Sequence, residues 1–222
     1  MNTNAASRHG SNVLPDPALV REAAARLSFF PDDKACQDFA TYLGLLVKWN
    51  KAMNLVGPGN WQQIFDSLVV DSFYLASFVA ALALPKEPRC LDLGAGAGLP
   101  GLPLRILWKQ GSYTLVEARE KRALFLRTVL AACALPGVEV YQGRAEQVLG
   151  LRGGGDMIVS RAFMPWEQVL SLVQDFCAPG AFCLFLANTP MPDTVPEQWE
   201  ALQQRAYAVQ EKERYLWALQ KK

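Results

Sequence analysis

Cys90-Leu-Asp-Leu-Gly-Ala-Gly-Ala-Gly-Leu-Pro-Gly101 is the stretch that decides the fold of this 222-residue chain. A short β-type run ends at Leu93, and glycines then stand at every second position, Gly94, Gly96 and Gly98. Having no Cβ, they let a ligand approach the backbone closely and permit turns of positive φ. Pro103 can open a helix in its first turn, where its missing N–H costs nothing. Strand, tight loop and helix N-terminus, in that order, are the local build of a nucleotide-type cofactor site.

Gly96 to Gly101 also spells G-x-G-x-x-G, the dinucleotide fingerprint, which alone is a weak match. Its register is poor, because the strand has already ended when Gly94 begins the turn. Leu99-Pro100 and Pro103 also leave few N–H groups to cradle a pyrophosphate. S-adenosylmethionine has no phosphates; it needs close backbone approach to its methionine part and a carboxylate for its ribose hydroxyls. Ser112 to Val116 reads as the second strand, and Glu117 stands at its end. That lies in the window about 20 residues downstream where a ribose-binding acid is expected. Two other readings stay open. The acid's spacing does not separate this cofactor from a nicotinamide one. The glycines also fit a plain turn of an unrelated α/β domain, with Glu117 capping the next helix.

Around this loop the chain alternates. Strands are expected at 89–93, 112–116, 138–142, 156–160 and 180–187, with helices at about 102–110, 119–134 and 165–177 between them. Such βαβ alternation implies a parallel sheet with helices on both faces. A short helix near 196–203 comes next, then Ala206 to Gln210 and Tyr215 to Leu219, which suit an antiparallel hairpin. The fold class is therefore α/β: a Rossmann-like class I methyltransferase architecture, with a mostly parallel seven-stranded sheet finished by an antiparallel C-terminal hairpin and preceded by N-terminal helices. The first third is helical. One helix runs from Asp16-Pro17 to about Phe30, and the next carries Phe39, Tyr42, Leu43, Leu46 and Val47 as an apolar stripe. A long helix then follows Gly57-Pro58-Gly59 as far as about Leu84. The expected division is a disordered tail over 1–14, a helical segment over 15–86 packed on the catalytic domain, and a cofactor-binding domain over 87–222.

Composition narrows the chemistry. Half the residues are hydrophobic and the net charge is +1, so the chain is globular with no global basic signature of nucleic-acid binding. The charge is uneven: residues 89–163 hold ten Lys/Arg against six Asp/Glu, a local excess that could favour an anionic substrate such as RNA. The single histidine, His9, lies in the tail, which excludes Ser-His-Asp and Cys-His centres and histidine-ligated metals. The five cysteines are scattered with no C-x-x-C pair, the pattern of reduced, buried thiols in a cytosol. Leu68 to Leu84, the most apolar stretch, contains Asp71 and small polar residues and reads as a buried helix, not a membrane span. The polar start of the chain carries no secretory signal.

Several short segments then fall in a telling order. They are Trp49-Asn50-Lys51-Ala52-Met53-Asn54-Leu55, Asp66-Ser67-Leu68, Leu91 to Gly101, and Leu115-Val116-Glu117. After them come Lys121-Arg122 with Phe125-Leu126, Arg144-Ala145-Glu146, Ser160-Arg161-Ala162-Phe163, and Glu213-Arg214. With these the chain resembles the bacterial RsmG (GidB) family, the 16S rRNA guanine-N7 methyltransferases, from about residue 40 to the end. The loop and the Ser-Arg-Ala-Phe segment are its most specific parts. Two positions depart from the family's usual pattern: Gln62-Gln63 replaces Arg-His before the Asp-Ser pair, and Ala187-Asn188 replaces Lys-Gly after the fifth strand. Both remove positive or ionisable groups that could face RNA.

The resemblance implies a cofactor, S-adenosylmethionine, and a set of roles. Gly94, Gly96, Gly98 and Leu99 would line its methionine side, Glu117 would accept from the ribose hydroxyls, and Ala145 and Glu146 would border the adenine. By the same resemblance Arg161 would close the site. From the acceptor's chemistry, and not from the resemblance, Arg161 or a nearby basic residue is expected to orient the guanine with Phe163 stacking on its ring, and Lys121, Arg122 and Arg127 are candidates for phosphate contact. Each residue has a plainer reading: Leu99 and Phe163 as core, Arg161 as a structural ion pair, Glu146 and the basic residues as solvated surface. Methyl transfer from a sulfonium is an in-line displacement that depends mainly on positioning. Guanine N7 has a free lone pair and no proton, so no acid or base residue is assigned. The partner implied is 16S rRNA or the small ribosomal subunit, met by a cytoplasmic monomer without metal or membrane. Competing readings are a different methyl acceptor, a nicotinamide oxidoreductase, and a binding module that has lost turnover.

Overall fold

The computed structural model describes residues 14–222. The expected tail, His9 included, lies outside them except for Leu14, which is exposed.

The helical first third is built from clear start signals. At α1 (Pro17–Arg26) the Asp16 side chain accepts from the Leu19 N–H at 2.9 Å, with proline in the first turn. At α2 (Asp33–Met53) the Asp32 carboxylate does the same for Ala35 at 2.7 Å, and the helix stops where Asn54 turns left-handed. The single long helix expected next is interrupted. It comprises α3 (Trp61–Ile64), a π-helical turn (Phe65–Val69) and α4 (Val70–Val79), and ends five residues before Leu84.

Seven strands form one sheet: β1 (Arg89–Leu93), β2 (Ser112–Glu117), β3 (Val138–Gln142), β4 (Met157–Ser160), β5 (Phe182–Ala187), β6 (Trp199–Val209) and β7 (Lys212–Lys221). Their order is β3-β2-β1-β4-β5-β7-β6; the first five pair in parallel, and β7 pairs antiparallel with both β5 and β6. Helices α5 (Gly101–Leu107), α6 (Glu120–Ala132), α7 (Ala145–Arg152) and α8 (Trp166–Val173) complete the fold. The central strands alternate between two buried clusters, as a sheet covered on both faces must. Tyr113, Leu115, Met157, Val159, Phe182 and Leu184 face the N-terminal helices with α5 and α6. Leu91, Leu93, Val116, Ile158, Cys183 and Phe185 face α7 and α8.

Two further elements correct the sequence reading. The helix expected near 196–203 is absent: Trp199 begins β6, which pairs with β7 along its length around one irregularity between Ala201 and Gln203. Glu200 to Ala206 is an exposed edge rich in helix-forming residues, so local propensity points one way and the partner strand decides the other. Helix α7 was not expected either. Gln147 starts it by accepting from the Arg144 N–H at 2.9 Å, and Gly153 at φ 73° stops it.

Candidate functional site

The strand order reverses between β1 and β4, which are paired with Leu93 opposite Ser160. At such a switch point the loops leaving the two carboxyl ends diverge and open a crevice. Here those loops are Gly94 to Pro100 and Arg161 to Pro165.

Glu117 ties the crevice together. Its buried carboxylate accepts from the Gly96 N–H at 2.9 Å through one oxygen and from the Arg119 N–H at 2.8 Å through the other. The preceding carbonyl, of Val116, takes both the Gly94 and Ala95 N–H groups at 3.0 Å, and the Glu117 carbonyl takes Gly143 N–H at 3.1 Å. The loops after β1, β2 and β3 are thus fixed relative to one acid. Gly94 sits at φ 74°, and a Cβ there would lie 2.5 Å from the Phe163 ring, so only glycine lets the loop pass beneath that side chain. From the helical side, the Tyr42 hydroxyl donates to the Ala97 carbonyl at 2.9 Å and Ser72 Oγ to the Pro100 carbonyl at 3.1 Å.

Beneath the loop, Asp92 is fully buried. Burial pushes its carboxyl up to about 7, opposed by the Tyr113 hydroxyl, the Gly101 N–H and the charge of Arg161. Tyr113 donates to it across 3.4 Å, a long contact.

Three clefts open around this frame. The inner one, about 420 Å³, lies between Glu117, Ala118 and Arg119, the start of α7 at Ala145 and Glu146, and Phe163. A loop cleft of about 290 Å³ separates the glycine loop from Leu55 to Pro58. These two share Gly94, Arg122 and Ala162. The largest, about 700 Å³, is floored by Asp71 and reaches Asn188 and the β6–β7 hairpin. Arg161 lines the loop and hairpin clefts, and Ala162 lines all three. Ala162 holds φ 51°, a left-handed conformation that costs an alanine about 1–2 kcal/mol. Strain of this kind sits where a chain must turn sharply at a site.

In the hairpin cleft Asp71 is a hub. Arg214 Nη1 donates to both its oxygens at 2.7 Å, Arg161 Nη2 pairs with it at 2.9 Å, and the Tyr207 hydroxyl donates at 3.0 Å. Burial, then the Asp71 charge, pushes the Tyr207 phenol up.

Gly94, Gly96, Leu99, Glu117, Ala145, Glu146 and Arg161, all expected at the site, border these clefts. Gly98 does not: it packs inward, where a Cβ would strike Leu102 at 2.3 Å. Phe163 lines the inner cleft and not the hairpin cleft. Arg122 stands at the junction of the inner and loop clefts. Lys121 is exposed and borders none of them, and Arg127 donates to Gln142 at 3.0 Å. Of the two departures, Ala187-Asn188 lines the hairpin cleft, while Gln62-Gln63 on α3 lines none of the three. Asp71 and Tyr207 lie outside the residues that the sequence singles out; the signal for Asp71 was an acid placed within the most apolar run of the chain. All five cysteines are buried and free, and among the described residues no cluster could hold a metal. No described helix is long and apolar enough to cross a membrane.

Comparison with known proteins agrees with this frame. The fold matches that of MtNAS solved in complex with S-adenosylmethionine, with a TM-score of 0.58 at 14% identity over 93% of this chain and 78% of that one. It also matches a putative methyltransferase, yhhF, from Escherichia coli, with a TM-score of 0.55 at 19% identity over 68% of this chain and 86% of that one. At sequence level, a ribosomal RNA small subunit methyltransferase G of Nitratidesulfovibrio vulgaris is 50% identical over 191 residues, 86% of this chain and 88% of its own length. The protein of that name from Lawsonia intracellularis is 43% identical over 204 residues, covering 91% and 94%. The profile of one family, described as rRNA small subunit methyltransferase G (GidB), matches residues 35–216, from α2 to β7. Sequence identity, matched length and the switch-point crevice agree, and the chain belongs to that family.

Proposed function

We propose that this protein transfers a methyl group from S-adenosylmethionine to N7 of a guanosine in 16S rRNA. The observation that carries the reading is Glu117, a buried carboxylate bonded to the glycine loop at the mouth of a cleft of about 420 Å³. That volume falls in the range of about 300–1,000 Å³ typical of small-molecule sites. The residues suit the donor. Glu117 has lone pairs left for ribose hydroxyls. Ala145 and Glu146 border the place for adenine, with Phe163 across from them. Around Gly96 the backbone is open: a Cβ there would meet nothing nearer than Arg122 at 3.7 Å. Arg122 is placed to meet the donor's amino-acid carboxylate, a role distinct from the phosphate contact expected of it.

Bound there, S-adenosylmethionine supplies an electrophilic methyl group. The chain's own part is to hold and orient, because the acceptor nitrogen brings its own lone pair and needs no base. Ala162 lines all three clefts and Arg161 the loop and hairpin clefts, an adjacency that supports the hairpin cleft as the place for the acceptor base. The family's usual lysine after β5 is missing, but Lys212 and Arg214 on β7 bring positive charge to the same cleft.

The test uses labelled S-adenosylmethionine with small ribosomal subunits, and with naked 16S rRNA, from cells lacking this protein. Digestion and mass mapping should locate one new N7-methylguanosine. Label on another base, or none on either acceptor, would overturn the reading. Calorimetry against S-adenosylmethionine and a nicotinamide dinucleotide checks the donor separately.

A further inference from the structure

Asp71 is the only acid between Leu68 and Leu84, and its side chain is 2% exposed. A carboxylate so placed is strongly disfavoured unless it is paired and hydrogen-bonded. It is paired twice, and with residues remote in sequence. Arg161 follows β4, Arg214 stands on β7, and both reach back to α4.

The helix contributes more than the carboxylate. Just before Asp71 lies the π-helical turn, in which backbone hydrogen bonds shift out of the α register. Two carbonyls of that turn receive the same arginines: Ser67 O accepts from Arg214 Nη1 at 2.8 Å, and Leu68 O from Arg161 Nη1 at 3.4 Å. One carboxylate and two carbonyls of a single helix therefore hold both guanidiniums. Among the described residues, Nε of Arg161, and Nε and Nη2 of Arg214, have no protein hydrogen-bond partner. Both arginines line the hairpin cleft.

We propose that Asp71 is the positioning residue of the acceptor site, presenting the spare N–H groups of Arg161 and Arg214 to the incoming guanosine nucleotide. This rests on the function proposed above. Guanine offers N7 and O6 as acceptors on one edge. Methylation requires the N7 lone pair free, so the arginines address O6 and the phosphate oxygens. A guanidinium fork suits both, provided its plane is held before the nucleotide arrives. Asp71 floors the hairpin cleft, but its side chain is 2% exposed and its oxygens are taken by Arg161, Arg214 and Tyr207, so it acts through the arginines.

The test is Asp71→Asn, which keeps the shape and removes the charge, with Asp71→Glu as the second variant should the first fold poorly. Three readouts are compared with the natural chain: the Kd for S-adenosylmethionine, kcat and KM for small subunits, and NMR of the arginine guanidinium groups. The expected result is a KM for the acceptor raised about 10- to 100-fold, the scale of a misplaced binding group. The donor Kd should change by no more than about threefold, far less than the acceptor KM, since Asp71 borders neither donor cleft and only one of its two arginines, Arg161, reaches one, the loop cleft. Guanidinium rotation at Arg161 and Arg214 should speed up. An unchanged acceptor KM would overturn the proposal. So would equal losses of donor affinity, acceptor KM and thermal stability, which a merely structural residue would give. If the natural protein methylates no rRNA, the functional reading falls by itself. The NMR then decides the positioning role: faster rotation in the variant supports it, and unchanged rotation overturns it.

Discussion

Glu117 braces the glycine loop through Gly96, and in the function proposed above its remaining lone pairs take the donor's ribose hydroxyls. Glu117→Gln keeps an acceptor but loses the charge, and bonds to charged groups are worth about 1.5–3 kcal/mol. Affinity for S-adenosylmethionine should therefore fall about 10- to 100-fold, which titration calorimetry reads directly. Unchanged affinity would remove this residue from the donor site. Asp92, one strand away, makes a pH prediction. Its carboxyl is raised by burial to about 7 in the folded protein, against an ordinary value of 3.8. Between those values the unfolded chain releases this proton while the folded chain keeps it. Asp92 therefore makes stability fall as pH rises from about 4 to about 7, with no further loss above that. Denaturant midpoints at pH 5 and pH 8 should differ less in Asp92→Asn than in the natural chain, and an equal difference would contradict the assignment.

At the scale of elements, the glycine loop owes its shape to neighbours far away in sequence. Helix α2 reaches it through the Tyr42 hydroxyl, and α4 through Ser72. Tyr42→Phe leaves the Ala97 carbonyl without its donor in a buried place, a cost of about 1–3 kcal/mol. The unfolding midpoint should drop accordingly, and donor affinity with it, because Ala97 lines the loop cleft. A variant with full stability would mean that the loop holds its own conformation. Strand β6 teaches the opposite lesson about local signals. Its exposed residues from Glu200 to Ala206 are no strand by composition, and only the ladder with β7 makes them one.

Across the whole molecule, the helical first third and the sheet share a core. Val20, Phe39, Leu43, Phe65 and Phe78 belong to the same buried cluster as Tyr113, Val159, Leu184 and Leu216. Removing residues before 87 would bare the part of that sheet face which α5 and α6 leave uncovered, and the sides of α5 and α6 on which α2 and α4 pack, so these helices and the sheet are expected to form together. Thermal unfolding followed by far-UV circular dichroism and by tryptophan fluorescence should give one coincident transition. Trp61 on α3 and Trp199 and Trp217 in the hairpin report from both parts of the chain. Two separate transitions would show that the helices melt on their own.

The sequence by itself determined the β1 loop, the five parallel strands to within two residues, and the acid at the end of β2. Those are local matters: glycine and proline act on their own backbone, the inner strands read as largely apolar runs because both their faces are buried, and the edge strand β3 shows the alternation of Val138, Val140 and their polar neighbours. Only the tertiary structure decided that Gly98 packs inward, that Arg122 stands at the junction of the inner and loop clefts, and that β6 is a strand. It alone brought Asp71, Arg161 and Arg214 together from three distant parts of the chain. The partners of a buried charge are chosen by how the elements pack in space, and spacing along the chain carries no trace of that choice.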